Sequence, residues 1–167
     1  MTCILGIDPG SRVTGYGVIE HDRGRSRHLA SGAIRLEGED LGARLATIFE
    51  QLQAVIGEHR PDAMAVEEVF VSHNVSAALK LGQARGAAIC AGAASGLSLS
   101  EYAPRTIKQA LVGTGRADKA QVQHMVRALL GLRQTLAADA ADALAVAICC
   151  AHLSASPVAR HRQGGRR

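Results

Sequence analysis

The sequence predicts an α/β fold, a five-stranded mixed sheet flanked by helices. Three observations predict it. Up to residue 36, apolar and polar positions alternate in short runs, as in half-buried strands. Two more short strand-like runs, at 63–66 and 97–102, sit between segments of helical periodicity. From residue 104 onward only helical spacing recurs.

The first strand, 3–7, is an apolar run that ends in the turn signal Asp8-Pro9-Gly10. Residues 14–20 and 28–36 complete a three-stranded antiparallel meander. Residues 41–59 carry Leu45, Ile48, Phe49, Leu52, Val55 and Ile56 at helical spacing, and Arg60-Pro61 ends that helix. The short strand 63–66 runs into Glu67, and a long helix follows over 72–95. The last strand covers 97–102. Pro104 then suits the first position of a helix through 111. Gly113-Thr114-Gly115 makes a loop, and Asp118 is placed to cap a helix running to 130. The final helix spans about 137–153. The strand after the first helix should lie parallel to the first strand through a right-handed crossover, which puts Asp8 and Glu67 on neighbouring strands.

At 167 residues the chain fits one domain, expected over 1–156, with a basic disordered tail over 157–167. Aromatic residues make up only 2% of the chain, so its core must be aliphatic, with backbones close together. Asp8 interrupts the first apolar run, which argues against a signal peptide, and no apolar stretch reaches the roughly 20 residues of a membrane span. Cys3, Cys90, Cys149 and Cys150 form no CxxC pair, in keeping with a reducing cytoplasm.

The net charge of +4 comes from the tail, whose four arginines removed leave 15 basic and 15 acidic residues. Local charge is more informative. Between Arg105 and Arg133 there are six basic residues, including Lys108, Arg116 and Lys119, against the single acid Asp118. Such a region suits phosphate, although a solvated helical face has the same composition.

Asp139 and Asp142 lie in an otherwise small and apolar helical segment, Ala137-Ala138-Asp139-Ala140-Ala141-Asp142-Ala143. A spacing of three places both on one face, about 60° apart. Asp is rarely buried without a partner, so the pair demands a compensating charge, unless Asp139 merely answers the helix dipole. Asp8 ends one buried strand. Glu67 and Glu68 end another and point to opposite faces, so only one of them can join a site. If two strand-end acids and two helix acids meet, their repulsion calls for cations. Hard oxygen ligands without thiolate or imidazole suit Mg²⁺, two per subunit, with Mn²⁺ able to substitute. Two such ions can serve an in-line phosphoryl displacement.

The segment Ile4-Leu5-Gly6-Ile7-Asp8-Pro9-Gly10-Ser11-Arg12-Val13-Thr14-Gly15-Tyr16-Gly17 resembles the N-terminal motif of RuvC-type Holliday junction resolvases. So do Glu67 with Val69-Phe70, the run from Ser76 to Gly86, the run from Lys108 through Lys119 to Val126, and Ala138 to Ala143. The resemblance covers about residues 3–155, in family order. It implies a ribonuclease H-like fold and a homodimer that makes paired symmetric nicks in a four-way DNA junction. The nicks leave 5′-phosphate and 3′-hydroxyl ends at a short sequence with central thymines. By position, Asp8, Glu67, Asp139 and Asp142 match the catalytic, metal-binding carboxylates. Phe70 matches an aromatic that stacks on opened bases. Lys108 and Lys119 match lysines of DNA contact and catalysis, and Lys80, Arg85 and Arg116 join them as DNA-binding candidates. The implied protein partners are RuvA and RuvB.

Two other classes compete. Gly6-Ile7-Asp8-Pro9-Gly10-Ser11 also resembles the phosphate hairpin of actin-like ATPases, but those enzymes need two lobes and this length supplies one. A junction-binding module without catalysis would have no use for four carboxylates that repel phosphate. Phe70 has a plain alternative as a core residue after an apolar strand. The helix 72–95 carries Ala78, Gly82, Gly86, Cys90 and Ala94 every four residues. That smooth stripe suits either a two-fold subunit contact or packing on the chain's own sheet.

Overall fold

A computed structural model describes residues 1–69 and 74–154. Five strands form one sheet in the order β3-β2-β1-β4-β5, with β1 Thr2–Asp8, β2 Val13–Asp22, β3 Arg25–Arg35, β4 Ala63–Glu67 and β5 Ser98–Tyr102. The meander β1-β2-β3 is antiparallel, whereas β4 lies parallel to β1 and β5 parallel to β4. This is the mixed sheet expected, with the crossover strand beside β1.

The helices are α1 Leu41–His59, α2 Val75–Ala94, α3 Pro104–Val112, α4 Lys119–Leu130 and α5 Ala138–Ser154. Strand alternation sends Leu5, Ile7, Met64 and Val66 to one core with α1 and α2. It sends Ile4, Ile19 and Ala65 to the other core, with α3, α4 and α5.

Helix ends follow the local chemistry. The Asp118 carboxylate accepts from Gln121 N–H, and Gln121 accepts in return from Asp118 N–H, a full capping box. Pro104 opens α3 as expected. Helix α2 begins later than expected, at Val75, because the Asn74 side chain caps it by accepting from Ala77 N–H at 3.0 Å. Strands β2 and β3 run past their apolar stretches. Arg23 (φ 46°) and Gly24 (φ 81°) make a tight reversal that lets polar residues as far as Asp22 and Arg25 pair. Phe70 and the tail 157–167, with the domain boundary at 156, lie outside the described residues. No helix among the described residues is long and apolar enough to cross a membrane.

The core is aliphatic and close-packed. Helix α5 buries every residue from Ala143 to Ala151, including Cys149 and Cys150. It crosses a floor of glycines. A β-carbon at Gly6 would strike Ala143 and Ala147, one at Gly17 would strike Leu144, and one at Gly15 would strike the Asp139 backbone. Gly6 and Gly17 are cross-strand partners, and Gly15 pairs with Asp8. The helix therefore approaches the sheet at backbone distance beside Asp8.

Candidate active site

Asp8 is the last residue of β1 and Glu67 the last of β4. Both share strand parity with residues of the α5 core (Ile4 and Gly6 for Asp8, Ala65 for Glu67), so their side chains leave the sheet toward α5. Asp139 and Asp142 sit in the first turns of α5, partly buried, on the face held against β1 and β2. The sheet and this one helix bring together all four acids that the sequence singled out.

Their electrostatics record the proximity. The Asp8 carboxyl is pushed up to about 7, first by burial and then by the charges of Glu67, Asp142 and Asp139. Glu67 is also raised, first by burial and then by Asp142, while a hydrogen bond from Asp8 offsets part of the rise. One proton held between two carboxyls is what crowded acids adopt when no cation neutralises them. Glu68 instead uses its N–H to hold the Tyr102 carbonyl at 2.9 Å.

Lys119, at the start of α4, donates to Asp142 at 2.8 Å, and this bond leads the causes that raise its ammonium. Lys108, on α3, and Lys119 line a cleft of about 260 Å³ whose floor includes Glu67, Asp142, Ile107 and Val122. Among the described residues no acid pairs with Lys108 or Arg116, which leaves both cations available to an anion. Of the basic stretch 105–133, Lys108 and Lys119 therefore border the acidic site.

Two other DNA-binding candidates lie elsewhere. Lys80 borders a separate groove between α1 and α2, next to Ser11 and Leu79. Arg85 is ion-paired with Glu101 on the α2 side of the sheet. Neither joins the carboxylates.

The donor set fits hard divalent cations. It is all carboxylate oxygen, carries excess negative charge and has no thiolate or imidazole. Among the described residues no three acids, histidines or cysteines already stand close enough to form a ready-made cage.

Sequence reasoning did not find the glycine floor, although Gly15 and Gly17, two apart on one strand face, were its visible signal. It also missed Arg44, whose guanidinium donates to the Ser11 carbonyl and braces the turn after Asp8.

A sheet of this topology, with acids ending its first and fourth strands and a helix bringing two more, defines the class of ribonuclease H-like nucleases. The comparisons agree. The family model for crossover junction endodeoxyribonuclease RuvC matches residues 4–150. RuvC of Marinobacter nauticus is 55% identical over 166 residues, spanning 99% of this chain and 95% of its own. RuvC of Methylococcus capsulatus is 59% identical over 152 residues, spanning 91% and 92%. The structure of Thermus thermophilus RuvC in complex with a Holliday junction substrate superposes with a TM-score of 0.88 at 34% identity, covering 92% of this chain and 95% of that one. The yeast mitochondrial Holliday junction resolvase Ydc2 shares the fold, with a TM-score of 0.69 at 11% identity over 96% of this chain and 83% of its own.

The chain belongs to the RuvC family of crossover junction endodeoxyribonucleases, the Holliday junction resolvases.

Proposed function

We propose that the protein binds four-way DNA junctions and cuts two opposing strands at symmetric positions, leaving 5′-phosphate and 3′-hydroxyl ends. The observation that carries this reading is the meeting of Asp8, Glu67, Asp139 and Asp142 beside a lysine-lined cleft. Asp8, Glu67, Asp139 and Asp142 are the residues that would hold two Mg²⁺ ions, or Mn²⁺ in their place. Bound cations supply charge neutralisation at the attacking water and the leaving oxygen. Lys108, Arg116 and Lys119 seat the phosphates on either side of the cut bond. Lys119, which holds Asp142 at 2.8 Å, would be free to turn to phosphate once the acids were neutralised. Phe70 is assigned to base stacking from its place in the sequence motif alone.

A junction offers two equivalent strands, so paired cutting calls for two sites related by the same symmetry, that is, an isologous homodimer. Helix α2 suits the contact. Val75 and Leu79 are 67% and 63% exposed, and Gly82 and Gly86 face open space. The small-residue stripe thus turns away from the chain's own sheet, contrary to the packing alternative. RuvA and RuvB are the protein partners that family membership suggests, and the cytoplasm is the compartment.

The test is incubation with a mobile synthetic junction and Mg²⁺, with cuts mapped on all four strands. Paired cuts on opposing strands, abolished by EDTA, are expected. Binding without metal-dependent cutting would instead mark a junction-binding module.

A further inference from the structure

We infer that Arg85 and Glu101 form a positioning device for Glu67, so that Arg85 serves the reaction through the strand rather than by touching DNA. The inference rests on the assignment of Glu67 to the cation-binding cluster.

The Arg85 guanidinium uses two of its donors in one plane. Nη2 donates to Glu101 Oε2 at 2.5 Å, and Nε donates to the main-chain carbonyl of Glu67 at 3.4 Å. The side chain is only 21% exposed, so little of it is left for a phosphate. Glu67 sends its carboxylate toward α5, but the carbonyl of the same residue is reached from α2, on the opposite face. Arg85 therefore holds the backbone that aims the carboxylate without entering the site.

A second contact makes the hold specific. Lower on the same helix, Gly92 lies so close to Met64 of β4 that a β-carbon would overlap the Met64 sulfur. From Arg85 to Gly92 is seven helical residues, a rise of about 10.5 Å. From Met64 to Glu67 is three strand residues, a rise of about 10 Å. The two elements run in opposite directions, so the spans match: Gly92 meets Met64 and Arg85 meets Glu67. Two matched anchors fix how far α2 can slide along β4. On the other side of β4, Glu68 N–H still pairs with the Tyr102 carbonyl, next to Glu101 in β5. The strand end that carries Glu67 is thus held by β5 and by the Arg85–Glu101 pair together. Lysine could keep the ion pair but lacks the second donor in fixed geometry.

The experiment compares wild type with Arg85→Met, Arg85→Lys and Glu101→Gln. Each is measured for junction nicking at saturating DNA, junction affinity across a salt series, Mn²⁺ binding by calorimetry without DNA, and thermal unfolding. Arg85→Met should lower kcat and Mn²⁺ affinity by roughly 10-fold, the scale seen when a partner that orients metal ligands is lost. Junction Kd and its salt slope should stay at wild-type values. Arg85→Lys and Glu101→Gln should fall between, and they carry the test if Arg85→Met does not fold. A salt slope reduced by about 0.9 with Mn²⁺ binding intact would make Arg85 a phosphate contact and overturn the inference. Wild-type kcat and Mn²⁺ affinity in all three variants would also overturn it. A wild-type protein that neither binds Mn²⁺ nor cuts junctions would instead refute the functional assignment itself.

Discussion

Gly15 lies against the backbone carbonyl of Asp139, with no room between them for a β-carbon. Gly15 is also the cross-strand partner of Asp8. One glycine therefore sets the distance between the strand that carries the first acid and the helix that carries two others. Gly15→Ala should push the start of α5 off the sheet. Overpacking of this kind costs about 1–3 kcal/mol. Nicking should fall well beyond what that loss explains, because Asp139 and Asp142 move together. Thermal unfolding and a nicking assay on the same preparation check this. A folded Gly15→Ala protein with wild-type nicking would free the site from this contact.

Asp8→Asn, Glu67→Gln, Asp139→Asn and Asp142→Asn each keep the shape of the side chain and remove its charge. Each should lower cleavage by roughly 100-fold or more, the scale of losing one preorganised electrostatic contact. Junction binding should remain, since the phosphate contacts proposed for Lys108, Arg116 and Lys119 are left in place. Single-turnover nicking beside gel-shift affinity separates the two effects. Any of the four that nicks at near wild-type rate leaves the proposed set.

The metal-free protein should lose stability as pH rises. The Asp8 carboxyl titrates at about 7 in the folded chain, raised first by burial, against an ordinary value of 3.8. Between these values the folded state holds a proton that the unfolded state has released. Stability therefore falls with pH across that window, and the penalty is complete above it. Asp8→Asn removes the penalty. Without metal it should exceed wild type at pH 8 by on the order of 1–3 kcal/mol and show little advantage at pH 4. Mg²⁺ should narrow the gap at pH 8 by stabilising wild type alone. Urea titrations at both pH values decide it. Equal metal-free stabilities at pH 8 would show that Asp8 carries no such strain.

Lys108→Ala and Lys119→Ala should each weaken junction binding, with the salt dependence of affinity falling by about 0.9 per lost duplex phosphate contact. Lys119→Ala should also bind Mn²⁺ more tightly than wild type in the absence of DNA, because its ammonium holds Asp142 at 2.8 Å. Salt-series titrations and metal calorimetry read these separately. A lysine whose removal leaves the slope unchanged is not a phosphate contact.

Gly86→Leu should give a folded monomer. The position faces open space within the chain, and replacing a helix-interior glycine gains up to about 1 kcal/mol of helix propensity. Sedimentation should show the dimer lost, and junction cuts should become unpaired. A wild-type protein that is monomeric at micromolar concentration and still cuts in pairs would defeat the α2 contact.

The sequence made the architecture legible wherever burial imposed a period. Residues 41–59 form a helix over the same limits expected, because apolar spacing and Arg60-Pro61 bound it on both sides. The lower part of the β2–β3 hairpin was not legible. Its polar pairs, such as Glu20 with Arg27, lie beyond the apolar core and show no alternation. The four acids stood out because Asp139 and Asp142 interrupt an alanine helix and Asp8 and Glu67 end apolar strands. What holds them was harder to see. A glycine floor is recorded as missing side chains, and the grip of Arg85 on Glu101 and the Glu67 carbonyl joins residues that only the parallel β4–β5 pairing makes neighbours.

The last helix supplies half of the acids, and this has a consequence during synthesis. A ribosome has made β1, β4 and both lysines of the cleft before Asp139 and Asp142 exist. On the proposed assignment, the growing chain would carry its DNA-contacting lysines before it carried a complete acidic cluster. The contact of α5 with Gly6, Gly15 and Gly17 serves both the hydrophobic core and the acidic cluster. If these acids do the cutting, nuclease competence arrives only with the finished fold, and a chain broken off before residue 139 lacks the helix that both core and cluster need.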